Sequence, residues 1–231
     1  MTAVSTLVVI PAFQEEQTVG VVVDRVRACG FPVLVVDDGS TDETYARAIG
    51  AGALAVRLPI NVGVGGAMRT GFRYAVAGGY GRVVQVDADL QHPPEAIPDL
   101  LRSADEGHEL VIGSRFADGY ETAGSRRMAM RALAAVVSRR VRVRLDDVTS
   151  GFRVISEPLL GHFADHYPSE YLGDTVEAIL QAHAFGSSIA QVPVAMDQRQ
   201  AGDATSAWSA SGHLVRLGVA MVAGKPERMG Q

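Results

Sequence analysis

The chain has 231 residues, a formal net charge of −5, 47% hydrophobic and 20% charged residues, and one cysteine, Cys29. That length holds one domain, at most two small ones, around a sizeable core, and the balance excludes wholesale disorder. The acid excess argues against a general nucleic-acid binder; the lone cysteine excludes a disulfide framework or Cys-cluster zinc site and fits a reducing compartment; Lys225, the only lysine among 21 basic residues, excludes P-loop and lysine Schiff-base chemistry.

The N-terminal MTAVSTLVVIPAFQEE lacks the basic n-region of a secretory signal, and its apolar run stops at Pro11. No stretch reaches the roughly 18 apolar residues of a membrane-spanning helix. These features predict a cytoplasmic protein with peripheral contact at the inner face of a membrane. Thr6–Pro11 reads as a strand buried on both faces, and Glu16–Ala28 as a helix with Val19, Val22, Val23 and Val26 on one side. Val33–Val36 is a second strand, ending at Asp37-Asp38-Gly39-Ser40. Ser40 or Thr41 is placed to cap the helix that follows, with Asp42 and Glu43 in its positive first turn. Ala53–Leu58 is a third strand and Gly63–Val76 a glycine-rich entry into a helix. Arg82–Val86 is a fourth strand, ending at Asp87-Ala88-Asp89; Pro93 and Pro94 open a helix to Ala104, and Leu110–Ile112 is a fifth strand. Then come an arginine-rich helix (Ser125–Leu145), a strand (Gly151–Ile155), a helix (Asp174–Phe185), a strand (Ile189–Val194) and an apolar terminal helix (Trp208–Ala223).

Alternating continuously apolar strands with helices predicts a Rossmann-like, mostly parallel central sheet flanked by helices. Ligands on such sheets bind beyond the carboxyl ends of the strands, where this sequence puts its polar clusters. Asp87-Ala88-Asp89-Leu90-Gln91 is the sharpest. At a strand end two carboxylates at i and i+2 can reach one hard cation, and oxygen ligands with open positions for phosphate suit Mg²⁺ or Mn²⁺. An isolated D-x-D is more often a solvated turn, but the buried strand before it and the prolines after it weigh against that. In Asp37–Asp42 a cap accounts for the later residues but not for two adjacent acids at a buried strand end. Asn61–Ala67 fails as a Rossmann fingerprint, because Met68 stands where the third glycine belongs; its glycines still permit close backbone approach, and Arg69 could meet a diphosphate. Seven arginines crowd residues 126–144, with no acid between Glu121 and Asp146. A solvated helix face is the ordinary meaning of such a run, yet in a chain of net charge −5 it also points to an anionic surface or lipid phosphate.

Taken in order, PAFQEE (11–16), DDGSTD (37–42), NVGVGGAMRTG (61–71), DADLQHPPE (87–95), GSRF (113–116), DVTSGFRV (147–154) and RQAGDATS (199–206) resemble the family-2 inverting glycosyltransferases, in particular the dolichyl- or polyprenyl-phosphate sugar transferases. The resemblance spans about residues 5–206 and implies a glycosyltransferase A fold, with a catalytic domain over 1–207 and a C-terminal helix and tail over 208–231. It implies that Pro11, Ala12, Phe13 and Glu15 hold the base and ribose, with Asp38, Arg69, Asp87 and Ala88 also at the nucleotide. Asp87, Asp89 and Gln91 would hold Mg²⁺ or Mn²⁺, and Asp89 and Arg115 would belong to the catalytic group. Ser150 and Arg153 would line the acceptor side beside Arg115, and Arg199 and Ser206 would bind phosphate. The family commonly has asparagine where this chain has Gln14.

The implied reaction moves a sugar from a nucleoside-diphosphate sugar with inversion at the anomeric carbon. A hydroxyl acceptor, saccharide or small molecule, would need a carboxylate base; Asp147, Asp174 and Glu177 are the candidates. A polyprenyl phosphate needs none, since its second pKa is about 6. The arginine-rich helix and Arg199 favour that acceptor. Trp208–Ala223 is read as docking on a membrane, on a small membrane-protein partner or on the chain's own core, and no nucleic acid is expected. A sugar-1-phosphate nucleotidyltransferase would need a glycine-rich basic loop where PAFQEE stands, and a phospho-receiver would need a lysine late in the sheet.

Overall fold

The computed structural model describes residues 4–115, 124–168 and 173–196, with the side chains of 124–127 and 173–174 outside that set. In chain order the elements are β1 (Thr6–Ala12), α1 (Val19–Ala28), β2 (Val33–Asp37), α2 (Thr44–Gly50), β3 (Leu54–Arg57), α3 (Gly63–Ala77), β4 (Arg82–Gln85), α4 (Ile97–Asp105, entered through a 3-10 turn at Pro94–Ala96), β5 (Leu110–Ser114), α5 (Gly124–Val141), β6 (Arg153–Ser156), α6 (Leu159–His166), α7 (Gly173–Phe185) and β7 (Ile189–Pro193). The apolar strand runs follow from burial on both faces. Along β1, Leu7 and Val9 enter one core with Leu34, Val36, Met68, Phe72 and the α6–α7 side chains. Val8 and Ile10 enter the other, with four of the five valines of α1 and with Ile97 and Leu100 of α4. Burying each such side chain stabilises the fold by about 1.5–3 kcal/mol.

The seven strands lie in the order β3-β2-β1-β4-β6-β5-β7. Every neighbouring pair is parallel except β4–β6 and β5–β6, so β6 alone runs backwards. Two consequences position the site. The chain leaves β1 toward β2 on one side and reaches β4 on the other, so β1 and β4 flank a topological switch point. And because β6 is reversed, it is the entry to β6, residues 147–152, that joins the carboxyl ends of the other strands at that edge.

Several expectations shift. The helix expected at Glu16 starts at Val19, after a turn in which the Thr18 and Val19 N–H groups donate to the Glu15 carbonyl. The helix expected to run to Leu145 stops at Val141, followed by Arg142 in the left-handed region (φ 59°). The strand expected from Gly151 starts at Arg153, and α6 was not anticipated. Ser40 and Thr41 do not cap α2, whose N-cap is Glu43 with no side-chain cap bond. The terminal helix expected at Trp208–Ala223, and so the boundary at 207/208, lies outside the described residues, as do Arg199 and Ser206.

Candidate active site

Two loops close on each other beyond β1 and β2. The hydroxyls and acid of 40–44 brace the loop after β1: Gln14 N–H donates to Ser40 Oγ (3.0 Å), Gln14 Nε2 to Thr41 Oγ1 (2.9 Å), Glu15 N–H to Thr44 Oγ1 (2.8 Å) and Glu16 N–H to Asp42 Oδ2 (3.2 Å). Glu43 N–H answers by donating to Glu16 Oε2 (3.1 Å). Burial pushes the Asp42 carboxyl up, but the Thr44 hydroxyl and N–H donors outweigh it and hold Asp42 below its ordinary value. The latch keeps Gln14 in the left-handed region (φ 58°), a conformation that asparagine adopts more readily than glutamine; the Gln14–Thr41 bond offsets that cost. On this braced loop Phe13 is exposed and Glu15 accepts a hydrogen bond from Thr18 Oγ1 (2.6 Å).

The paired acids after β2 divide their work. Asp37 accepts from Ser40 N–H and from Arg57 Nε (2.7 Å), whose guanidinium lies over the Tyr45 ring. Asp38 accepts from the N–H groups of Val62 and Gly63 (2.8 Å each), pinning the start of α3 to the site. Burial pushes the Asp38 carboxyl up, against those two donors and with the neighbouring charge of Asp37. Gly39 makes the crossing possible: its φ is 76°, and a Cβ there would come within 2.9 Å of the Ile60 and Asn61 backbone. On α3, Arg69 is half-buried and makes no hydrogen bond or ion pair among the described residues.

Beyond β4 the DADLQH segment turns back on itself. Asp89 Oδ1 accepts from Gln91 N–H (3.1 Å), and between them Leu90 takes φ 66° with its side chain buried in the core. Ala88 is buried and Asp87 half-exposed. Asp87 N–H donates to His92 Nδ1 (3.0 Å), and His92 Nε2 sits 3.6 Å from Asp87 Oδ2. The imidazole stacks on Phe152 (5.2 Å between ring centres, 16° between planes), fastening β4's end to the entry of β6. Sequence reasoning passed over His92, whose only sign is its place five residues after Asp87. Among the described residues no three His, Cys, Asp or Glu side chains form a metal cluster. Asp87, Asp89 and Gln91 nevertheless present only hard oxygens, a donor set that fits Mg²⁺ or Mn²⁺ when a diphosphate supplies further ligands.

Across the edge, Arg115 at the end of β5 meets Asp147. Nε donates to Asp147 Oδ2 (2.8 Å), and the same terminal nitrogen donates to Asp147 Oδ1 (3.2 Å) and Thr149 Oγ1 (2.5 Å). Asp147 is buried; burial pushes its carboxyl up, but the hydrogen bonds and charge of Arg115, with Thr149, hold it below the usual carboxylate range. Gln191 of β7, another residue sequence reasoning missed, accepts from Asp146 N–H (2.6 Å) and donates to the Asp147 carbonyl (2.6 Å).

Ser150 and Arg153, expected to line the acceptor side, instead lie inside, each 1% exposed. Ser150 Oγ accepts from Phe152 N–H (3.3 Å), and its carbonyl accepts from Arg153 Nε (2.7 Å). The pairing of Arg153 with Gln85 and Ile112 draws the arginine under the loop. Its two terminal nitrogens and Gln85 Oε1 are buried without a hydrogen-bond partner among the described residues. Glu177 is exposed on α7 and accepts from Gln181 (3.3 Å); the Asp174 side chain lies outside the described residues.

The comparisons with known proteins match this architecture. The profile of "Glycosyl transferase family 2" matches residues 7–160, from β1 through the DADLQH turn and the β6 entry into α6. The chain belongs to glycosyl transferase family 2. Polyprenol monophosphomannose synthase of Mycolicibacterium smegmatis is 32% identical over 212 residues, covering 85% of this chain and 79% of its own. Undecaprenyl-phosphate mannosyltransferase of Micrococcus luteus is 31% identical over 208 residues, covering 85% of each. Among solved structures, glucosyl-3-phosphoglycerate synthase of Mycobacterium tuberculosis in complex with Mg²⁺ and UDP has a TM-score of 0.72 at 25% identity, covering 95% of this chain and 78% of that one. As a family member the protein is a glycosyltransferase of the glycosyltransferase A fold, similar to the polyprenyl-phosphate sugar transferases.

Proposed function

We propose that this glycosyltransferase moves a sugar from a nucleoside-diphosphate sugar to a polyprenyl phosphate. The observation that carries the choice of acceptor is the state of Asp147. A general base needs a free lone pair and a pKa near the working pH. The Asp147 carboxylate is buried, spanned by Arg115 and held low, so it orients the guanidinium rather than takes a proton. An acceptor that arrives ionised, as a lipid phosphate does at neutral pH, asks for no base. The names of the two mannosyltransferase relatives point the same way.

On this reading the donor lies across the switch point between β1 and β4. The braced loop offers the exposed Phe13 ring to a base and the Glu15 carboxylate to ribose hydroxyls; Asp38 sets the start of α3, and so Arg69, beside them. Asp87, Asp89 and Gln91 would hold a divalent cation, which when bound offsets the charge that builds on the departing diphosphate. Arg115, aligned by Asp147 and Thr149, faces the acceptor side. His92 fixes Asp87 from behind through its backbone N–H. Peripheral association with the membrane that carries the acceptor completes the proposal; among the described residues no helix is long and apolar enough to cross a bilayer.

Gly151 offers a local check on the cation site. A Cβ on it would stand 2.8 and 3.0 Å from the Asp87 carboxylate oxygens and 3.1 Å from Gln85 Nε2. Gly151→Ala is expected to displace Asp87 and raise the half-saturating Mn²⁺ concentration about tenfold, the scale of a disturbed ligand support. A Mn²⁺ titration of initial rate reads it, and an unaltered half-saturating Mn²⁺ concentration would count against Asp87 as a ligand.

The proposal is tested by incubating the full chain, Mn²⁺ and radiolabelled UDP-, GDP- and dTDP-sugars with undecaprenyl phosphate or undecaprenol. Label on the phosphate lipid alone, with release of nucleoside diphosphate, is the expected result. Label on the free alcohol, or on neither lipid but on a soluble hydroxyl acceptor, overturns it.

A further inference from the structure

Next to the cation site lies a buried polar cluster that the reading above leaves without a task. Arg153 is 1% exposed and forms no ion pair among the described residues. It stands on a face of the sheet otherwise given to apolar side chains: Ile155, two residues on, and Ile112, its partner in β5, both belong to that core. Its partner in β4 is Gln85, 2% exposed and two residues beyond Val83 of the same core. Directly opposed residues of an antiparallel pair share a face with their Cβ atoms about 5 Å apart, so guanidinium and amide are neighbours. The atoms left over there are complementary: two donors, Arg153 Nη1 and Nη2, and one acceptor, Gln85 Oε1. A guanidinium without a counter-ion is costly to bury, so its place in this core asks for a reason.

The reason lies at Asp87, whose carboxylate is flanked on three sides. Gln85 Nε2 donates to Oδ1 (3.4 Å), His92 Nε2 is 3.6 Å from Oδ2, and Gly151 comes so close that it leaves no room for a Cβ. Arg153 is tied to each flank. Its Nε donates to the Ser150 carbonyl (2.7 Å), which fastens the turn that presents Gly151. That turn is also closed by Phe152 N–H on Ser150 Oγ, and Phe152 carries the stacked His92 ring. A guanidinium offers only donors, so its presence beside Gln85 favours the amide sense with Oε1 toward Arg153 and Nε2 toward Asp87. The reverse sense would set donors against donors and an oxygen against the carboxylate.

We propose that Arg153 is a positioning residue for the cation site, holding Gln85 and the Ser150–Gly151 turn so that the Asp87 carboxylate is aimed before a divalent cation binds. Its terminal nitrogens are buried, so it touches neither donor nor acceptor and acts only through these neighbours. The inference rests on the reading of Asp87 as a cation ligand. Charge and geometry here predict opposite signs. A buried positive charge repels a divalent cation, so if Arg153 acted by charge alone its removal would tighten Mn²⁺ binding. Positioning predicts that removal weakens it.

The test reads binding rather than turnover. Free Mn²⁺ is followed by electron paramagnetic resonance as it is titrated into the full chain with UDP, GDP or dTDP. Arg153→Met and Gln85→Met, each an apolar side chain of similar length, are expected to raise the Mn²⁺ dissociation constant about tenfold, the scale of a lost support behind a metal ligand. The double variant should cost no more than about twofold beyond Arg153→Met, because the two residues lie on one path. Ser156→Ala removes another buried, unpartnered polar group from the far end of β6 and should shift the constant less than about twofold, which separates positioning from a general loosening of the strand. Circular dichroism shows which variants fold; should Arg153→Met not, Gln85→Met carries the test. An unchanged or tighter constant in a folded single variant, fully additive losses in the double variant, or an equal loss in Ser156→Ala overturns the assignment while Asp87→Asn still loses Mn²⁺. If Asp87→Asn binds Mn²⁺ as the unaltered chain does, the cation site itself falls, and this inference with it.

Discussion

Asp147→Ala is expected to lower the unfolding temperature by roughly 6–20 °C, the translation of about 3–5 kcal/mol for one partner removed from a buried ion pair in a chain of this size. The Asp147 side chain is wholly buried and that of Arg115 is 19% exposed, so deletion takes the bidentate carboxylate away from a guanidinium that has little access to water. The same carboxylate also accepts from Thr149 N–H and Thr149 Oγ1, so the turn into β6 loses its fastening at the same time. Arg115→Met in the Asp147→Ala background should recover part of the loss, because the poorly solvated charge goes with it. The pH dependence has a definite sign. Arg115 and Thr149 depress the native pKa of Asp147, so its contribution is complete above the unfolded value near 4 and drains away as pH falls toward the depressed native value. The gap in melting temperature between the unaltered chain and Asp147→Ala should therefore be constant from about pH 8 to 5 and narrow below about pH 4. Thermal denaturation followed by circular dichroism decides this; equal melting temperatures at pH 7 would remove the pair from the fold's supports.

Among the first five strands, β1, β2 and β5 were legible in the sequence because they are buried on both faces and so almost continuously apolar; Leu7, Val8, Val9 and Ile10 alternate between two cores without an intervening polar residue, whereas the edge strand β3 is exposed or half-buried throughout and was legible from its β-forming run alone. The direction of β6 was not legible. RVIS has nothing in it that distinguishes a parallel from an antiparallel neighbour; the reversal shows only in its pairing with β4 and β5. Helix α6 was missed because LLGHFADH is short, contains Gly161 and spaces its apolar side chains over barely two turns.

The site was legible in outline and misread in detail where side chains serve distant backbone. DDGSTD looked like a local cap because a cap is what such residues do for their own segment. Here Ser40, Thr41 and Asp42 bond to residues 26 or 27 positions earlier, a pairing that only the parallel alignment of β1 with β2 creates. His92 and Gln191 were invisible for the same reason, since their partners, Phe152 and Asp147, come from the reversed strand's entry. Arg153 was taken for a residue facing ligand because its motif does; the register that sets it opposite Gln85 puts it inside. The pattern at Asp87 and Asp89 is local instead, a buried strand ending in two acids before a proline-led helix.

Asp89→Ala is expected to reduce the transfer rate by at least about 10²-fold, while the far-ultraviolet circular dichroism stays that of the unaltered chain. A residue bearing a ligand charge opposite a developing diphosphate accounts for several kcal/mol of barrier, and each 1.4 kcal/mol is a factor of ten. The alternative, a purely structural Asp89, is separable at the turn, where its Oδ1 accepts from Gln91 N–H. Asparagine keeps that acceptor and loses the charge; alanine loses both. The turn also contains Leu90 at φ 66°, a backbone state unfavourable for a branched side chain, held there by burial of Leu90 in the core. Asp89→Ala should therefore lower stability by about 0.5–1.5 kcal/mol, the worth of one hydrogen bond, and Asp89→Asn by less. If the carboxylate acts through its charge, both variants lose transfer alike while only the alanine variant loses stability. If Asp89 acts only by closing the turn, Asp89→Asn will transfer sugar at close to the unaltered rate, and the cation role assigned to this position falls.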